Sequence, residues 1–369
     1  MYVILRLVES TGDLFFLYGG IFITVVVLFM MVLAPLVIMP LFNKYEAIED
    51  NDLKKEIVGL ADDINYNSSK IEIIDGSQRS SHSNAFQYGF GGFKKICIFD
   101  TLLKDMLGLT EQAKEEARKE MEEEEGNTKA NEGDESEGEK KEKTDEDLKK
   151  KKYQQSDFEY SNVEGRNQIL SVVAHELGHW SNMDVFKFMV SDMVKVYFNF
   201  FLFIFCLKYT NIAADFGFNA EPKSVYLSFI LFFMVLSPIL YLFNIQAVFM
   251  VRNAEFAADR FSVEQGYGYD LKEGLIKIFI KNQGNLNPDW LYSYLKHTHP
   301  PLIQRIEAID KYIAEFSNRE STDDPIDDPE KIKEIYHNIF KALFHKRHVG
   351  REEAEAEGGC IESPNWLGY

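Results

Sequence analysis

The 369-residue sequence predicts a mainly α-helical protein that crosses a membrane several times and carries a small β-hairpin or sheet. Two runs free of charged residues, 14–43 and 224–251, each exceed the roughly 20 apolar residues that cross a bilayer core. A third, Phe-rich run at 196–207 extends upstream to about 185–207, where Lys187, Asp192 and Lys195 interrupt it. Two short β-branched segments, 70–75 (KIEIID) and 94–99 (KKICIF), supply the strands. The mean hydropathy of -0.23 points to a soluble protein only because it averages two opposite compositions.

Residues 1–43 form the first transmembrane helix, kinked or ended by Pro35. The apolar run starts too late and continues too long for a cleaved signal peptide. Its flanks carry mixed charges (Arg6, Glu9 and Asp13 before, Lys44, Glu46 and Glu49 after), so the positive-inside rule fixes no orientation. Residues 44–110 read as a helix followed by a twisted hairpin whose connection holds Gly76, Gly89, Gly91 and Gly92. Those glycines lack phosphate-loop spacing, which argues against a nucleotide. Residues 111–160 read as an acidic, disordered insert. Within it, 111–150 holds 17 acidic and 9 basic residues and almost no large apolar ones. The net charge of -19 argues against nucleic acid as a partner. Three cysteines, Cys97, Cys206 and Cys360, exclude a disulfide framework and a four-cysteine metal site. Residues 161–317 form the core with two membrane segments, about 185–207 and 224–251. The tail, 318–369, is polar. Its stretch 332–344 has helical periodicity and leads into basic 345–348, which suits a membrane surface and an ordinary surface helix equally.

The chemistry lies in one helix and two distant partners. Residues 172–180 read VVAHELGHW, and His175 and His179, four apart, project from one helix face. Two such imidazoles can bind one zinc ion, and Glu176 is placed to take a proton from the attacking water. A catalytic zinc needs a third protein ligand. Glu255, in the run NAEFAAD directly after a membrane segment, is the candidate, and Asp259 one turn on can orient a ligand histidine. Taken alone, that pair is a weak signal. The run HTHPP at 297–301 restricts His299, which can hydrogen-bond an oxyanion, although the same run reads equally as a turn before an amphipathic helix.

HELGHW, EFAAD, THPPLIQR and GSQRSSHSNAFQYGF followed by KKICIFDTLL together resemble the zinc-metalloprotease type of CAAX prenyl protease, an endoplasmic-reticulum endopeptidase. The resemblance runs over about 12–309 apart from the acidic insert. It implies one zinc per chain on His175, His179 and Glu255, a gluzincin-like site, with Glu176 as general base and His299 stabilising the transition state. It implies that Asp259 and Arg305 brace the site, and that Asn84 and Ala85 belong to an edge strand that hydrogen-bonds the substrate backbone. An exposed sheet edge can indeed accept an extended peptide as an added strand. The implied substrate is a prenylated CAAX protein losing its last three residues. The implied location is the endoplasmic-reticulum membrane, with the inner nuclear membrane as a second site, as a multi-pass protein in the lipid bilayer. The family folds as seven spans around a water-filled chamber, and the resemblance sets the start of this chain at the fifth, N-terminally shortened with its catalytic half intact. The alternatives are a related quality-control metalloprotease, and an inactive form or scaffold that keeps the zinc site.

Overall fold

The computed structural model describes residues 6, 10–66, 70–78, 80–89, 94–115, 153–209, 211–218, 225–285 and 288–320. The acidic stretch 116–152, the tail helix expected at 332–344, basic 345–348 and Cys360 lie outside the described residues. The chain divides into a unit of residues 1–314, which holds the sheet, the core and the candidate site, and a unit of residues 315–369.

Among the described residues, three helices are long and apolar enough to cross a membrane: α1 (Phe15–Phe42), α5 (Asp184–Lys208) and α6 (Val225–Glu264), the last from Phe229 onward. They turn large apolar side chains outward, Phe22 and Phe29 on α1, Val194 on α5 and Leu242 on α6. Such a surface suits lipid, not water. Pro35 has no N–H to give the carbonyl four residues back, and α1 widens there into a π turn, Ala34–Ile38, without ending. On α1, Gly20 admits the Tyr197 ring of α5, which a Cβ would strike. Further along, Phe15, Phe203, Phe232 and Leu236 close a satellite core between the three helices. Pro238 sits inside α6 without breaking it, so one rod of 40 residues runs from the apolar segment through Glu255 and Asp259.

The sheet corrects the expected hairpin. Strands β2 (Ile71–Ile74) and β4 (Lys95–Phe99) pair in parallel, Ile71 opposite Ile96. A parallel pair cannot be joined by a tight turn. The glycine-containing connection therefore carries a strand of its own, β3 (Ala85–Tyr88), antiparallel to β4 with Ala85 opposite Ile98. With β1 (Tyr45–Ala47) against β2, the order is β1-β2-β4-β3, and among the described residues β3 is a free edge that lies against the helix Val163–Ser181. Helix α2 (Asp52–Asp63) starts at Asn51, whose side chain accepts from the Lys54 N–H at 2.9 Å. Helix α3 (Asp100–Leu107) starts at Asp100, whose carboxylate is bonded by Ser77 from the turn before β3. Cys97 of β4 is fully buried, and burial, aided by Glu72, pushes its thiol up to about 12, which leaves it protonated and unreactive.

Helix α4 (Val163–Ser181) is the axis of the fold. Asn162 caps it, accepting from the Gly165 N–H at 3.0 Å, and apolar residues on most of its circumference, Ile169 to Leu177, are buried. Ahead of it, residues 153–160 are not part of an unstructured insert, contrary to their assignment from composition. Tyr153 and Phe158 are buried in the main core, and Leu109 bridges to Phe158. An average over the 50 residues of 111–160, dominated by charge, hides two aromatic anchors at its end. Helices α4 and α6 cross at small residues. A Cβ on Gly178 would come within 3.0 Å of the Ala258 Cα, and one turn away the Ser262 hydroxyl donates to the Ser171 carbonyl at 2.9 Å. Helices α7 (Gly268–Lys281), α8 (Trp290–Lys296) and α9 (Leu302–Glu320) follow among the described residues.

Two stability outcomes follow from this packing, both read by thermal or denaturant unfolding. Phe158→Ala will cost about 3–5 kcal/mol, as for a core aromatic, whereas a flexible insert residue would show no change. Gly178→Ala will cost about 1–3 kcal/mol by overpacking, and Gly178→Leu will cost more. Wild-type stability in Gly178→Leu would mean that the two helices do not meet there.

Candidate metal centre

Because α4 and α6 touch at Gly178 and Ala258, the residues flanking that contact face one another. His175 and His179 straddle Gly178 on α4, and Glu255 and Asp259 straddle Ala258 on α6. The His175 Nε2 lies 3.7 Å from Glu255 Oε2, and His179 Nε2 lies 3.5 Å from Glu255 Oε1. The two rings are 4.9 Å apart and nearly perpendicular. One donor atom from each of the three residues fits within 4.8 Å of the others. These separations are too long for direct hydrogen bonds and suit donors arranged around a common cation.

The remaining contacts orient these donors. His175 is held through Nδ1 by the buried Asp259 at 2.9 Å, leaving Nε2 for the centre. Arg305, from α9, forks onto Asp259 at 2.8 and 2.5 Å and reaches Glu255 at 3.4 Å. Burial opposes its charge, but the Asp259 and Glu255 carboxylates more than compensate and hold its pKa above the ordinary value. A buried guanidinium between two carboxylates keeps Asp259 ionised and fixed in direction. Behind it, Arg252 reaches Gln304 at 2.7 Å and Ser293 at 3.3 Å, and so moors α9 and α8 to α6.

His299 arrives on the loop after α8, between buried Pro300 and Pro301 and the half-buried His297. Its Nδ1 lies 3.0 Å from Glu255 Oε2 while its ring stays open to solvent. Glu176 follows His175 on α4. Burial pushes its carboxyl above the usual carboxylate range, opposed by the charges of His175 and His179. The structure thus gathers His175, Glu176, His179, Glu255, Asp259, His299 and Arg305 from three separate stretches of chain.

Asn84 and Ala85 lie at the start of the edge strand. The Asn84 carbonyl already accepts from the Phe99 N–H at 3.1 Å, so its backbone faces inward to β4. With that register, Ala85 and Gln87 present their backbone groups to the free edge. The Ala85 N–H is met there by the Asn84 side-chain oxygen at 2.9 Å. The sequence reading misses one residue altogether: Asp184, whose Oδ2 lies 3.0 Å from His179 Nδ1. Its only signal is an acidic residue just past the motif.

Comparison with known proteins gives one consistent result. Residues 1–44 match the family described as CAAX prenyl protease N-terminal, five membrane helices. The human CAAX prenyl protease 1 homolog is 32% identical over 314 residues, covering 83% of this chain and 60% of the human protein. The Saccharomyces cerevisiae CAAX prenyl protease 1 is 28% identical over 329 residues, covering 85% of this chain and 60% of the yeast protein. The crystal structure of S. mikatae Ste24p aligns with a TM-score of 0.59 at 28% identity, covering 84% of this chain and 62% of that one. The chain thus spans about three fifths of the length of these relatives. A match to peptidase family M48 extends over residues 47–313, from the sheet through both halves of the His/Glu cluster, and on that match this chain belongs to peptidase family M48.

Proposed function

We propose that this chain is a membrane zinc endopeptidase that removes the last three residues of prenylated CAAX proteins at the endoplasmic-reticulum membrane. The observation that carries the reading is an apolar cavity of about 570 Å³ that opens beside His179 and Trp180. Leu28 and Met31 of α1, Phe186 and Met189 of α5, and Gln87 and Tyr88 of β3 line it. Its volume lies within the roughly 300–1,000 Å³ of ligand pockets, and its walls suit a long hydrocarbon. It meets the free edge of the sheet and the candidate metal centre at one place. A peptide added to β3 would therefore set a lipidated side chain in the cavity and a peptide bond at the centre. The named CAAX proteases among its relatives support the same substrate class.

The donor set of two imidazoles and one carboxylate is that of catalytic zinc sites, which leave one position open. The chemistry that zinc supplies at such a site is polarisation of the scissile carbonyl and easier deprotonation of water. His175, His179 and Glu255 would hold the ion, one per chain. Glu176 takes the proton of the attacking water and delivers it to the leaving amine. Burial holds its carboxyl above the usual carboxylate range, in the direction that favours carrying a proton. His299, held through Nδ1 on Glu255, turns its second nitrogen toward the oxyanion. Asp259 and Arg305 act on His175 and Glu255, not on substrate. Ala85 and Gln87 pair with the substrate backbone, and the Asn84 side chain gives up the Ala85 N–H as the peptide enters.

Two experiments on the chain reconstituted in lipid vesicles test the proposal. Glu176→Gln will retain bound zinc and lose about 100- to 10,000-fold in kcat, as for removal of a general base; turnover near the wild-type rate would remove Glu176 from that role. A farnesylated CAAX peptide will be cut with at least about tenfold higher kcat/KM than its unprenylated form, from burial of hydrocarbon. Met189→Trp will narrow that ratio by raising KM. Equal cleavage of both peptides by the unmodified chain would rule out the prenyl-specific reading.

A further inference from the structure

We infer that Asp184 is a positioning residue for the metal centre: it holds the His179 ring through Nδ1 so that Nε2 faces the metal, and it ties that ligand to the first turn of span α5. The inference rests on the metal-site reading above.

The two ligand histidines are held in the same way by different elements. Asp259 of α6 meets His175 Nδ1 at 2.9 Å, and Asp184 of α5 meets His179 Nδ1 at 3.0 Å. In each case Nε2 is the nitrogen turned to Glu255. A ligating imidazole whose other N–H is given to a carboxylate is fixed in tautomer and orientation and is a stronger donor.

The contact does not follow from helix periodicity. Five residues along one helix would set Asp184 well around the axis from His179. The chain instead breaks at Asn182 and Met183, and Met183 takes a left-handed backbone with φ of 56°. That conformation is costly for a side chain other than glycine. It turns the chain so that the first residue of α5 faces back onto the last turn of α4.

A plain role in starting α5 does not account for Asp184. Its side chain is 4% exposed, and a buried carboxylate is expensive without partners. It follows the N-cap position, which Met183 occupies. Among the described residues its carboxylate meets His179 and, through the other oxygen, Lys187 at 3.2 Å. Lys187 is 56% exposed, so solvent weakens that pair. The buried, directional contact is the one to His179. Asp259 is braced by a buried arginine and Asp184 only by this exposed lysine, so the His179 side is the less supported half of the centre.

The test measures zinc affinity of the purified full chain by competition with a chromophoric chelator, alongside unfolding of the metal-free protein. Asp184→Ala will weaken zinc binding by about 10- to 100-fold. Asp184→Asn, which keeps the shape and an acceptor oxygen, will fall between it and wild type, with the metal-free unfolding temperature unchanged. Lys187→Gln will stay within about threefold of wild type, as expected for an exposed pair. Zinc affinity of Asp184→Ala within threefold of wild type overturns the inference. So does a Lys187→Gln loss as large as that of Asp184→Ala, or an Asp184→Asn chain whose metal-free form is destabilised as much as its zinc form. Where Asp184→Ala does not fold, the Asn variant carries the comparison. His175→Ala separates the two readings: zinc binding as tight as wild type in that variant would overturn the metal centre itself, independently of Asp184.

Discussion

The approach of two helices at a pair of residues with almost no side chain governs everything else in this protein. Gly178 and Ala258 let α4 and α6 come close enough for side chains on either flank to share one small volume. Two imidazoles then lie 3.5 and 3.7 Å from a carboxylate of the other helix. The same closeness creates an electrostatic debt. Glu176, Glu255 and Asp259 would repel one another in a poorly solvated interior. Arg305 and the histidines offset it, and α9 is drawn into the core by that need. A cation held between the ligands would offset it further, so the stability of the crossing and the affinity for a metal are two views of one balance.

Around this crossing, three kinds of surface converge. The free edge of β3 offers backbone groups at Ala85 and Gln87, the helices offer polar donors, and the wall between α1 and α5 offers methionine and phenylalanine. Flexible Met side chains adapt to irregular apolar partners better than branched ones do. The order of the sheet matters here. If β2 and β4 formed the expected hairpin, β3 would not exist as an outer strand and the cavity would lose one wall.

Much of the site was readable from the amino-acid order because its chemistry is locally encoded. His175 and His179 are four apart, and a helix turns that spacing into one face. Glu255 and Asp259 repeat it, and they lie directly after an apolar run that returns the chain to the same side. The residues that were harder to read depend on pairings that no short window contains. Asp184 reaches His179 only through a left-handed turn at Met183, a residue with no propensity for that conformation. The parallel register of Ile71 with Ile96 arises between two four- and five-residue strands whose β-branched content suits either direction equally. Tyr153 and Phe158 were lost in the charge of their neighbours, although two buried aromatics outweigh a run of solvated glutamates in deciding what packs.

The unbroken length of α6 has a mechanical consequence. Leu242, which faces outward, and Glu255 belong to one stiff rod, about 20 Å apart at 1.5 Å per residue. Tilting such a lever by about five degrees moves its far end by roughly 1–2 Å, whereas coordination distances tolerate about 0.2 Å. Helices tilt to match the thickness of the surrounding hydrocarbon. On the proposed metal reading the bilayer would bear on the coordination geometry, with Arg252 and Arg305, which clamp the rod to α8 and α9, as its bearings.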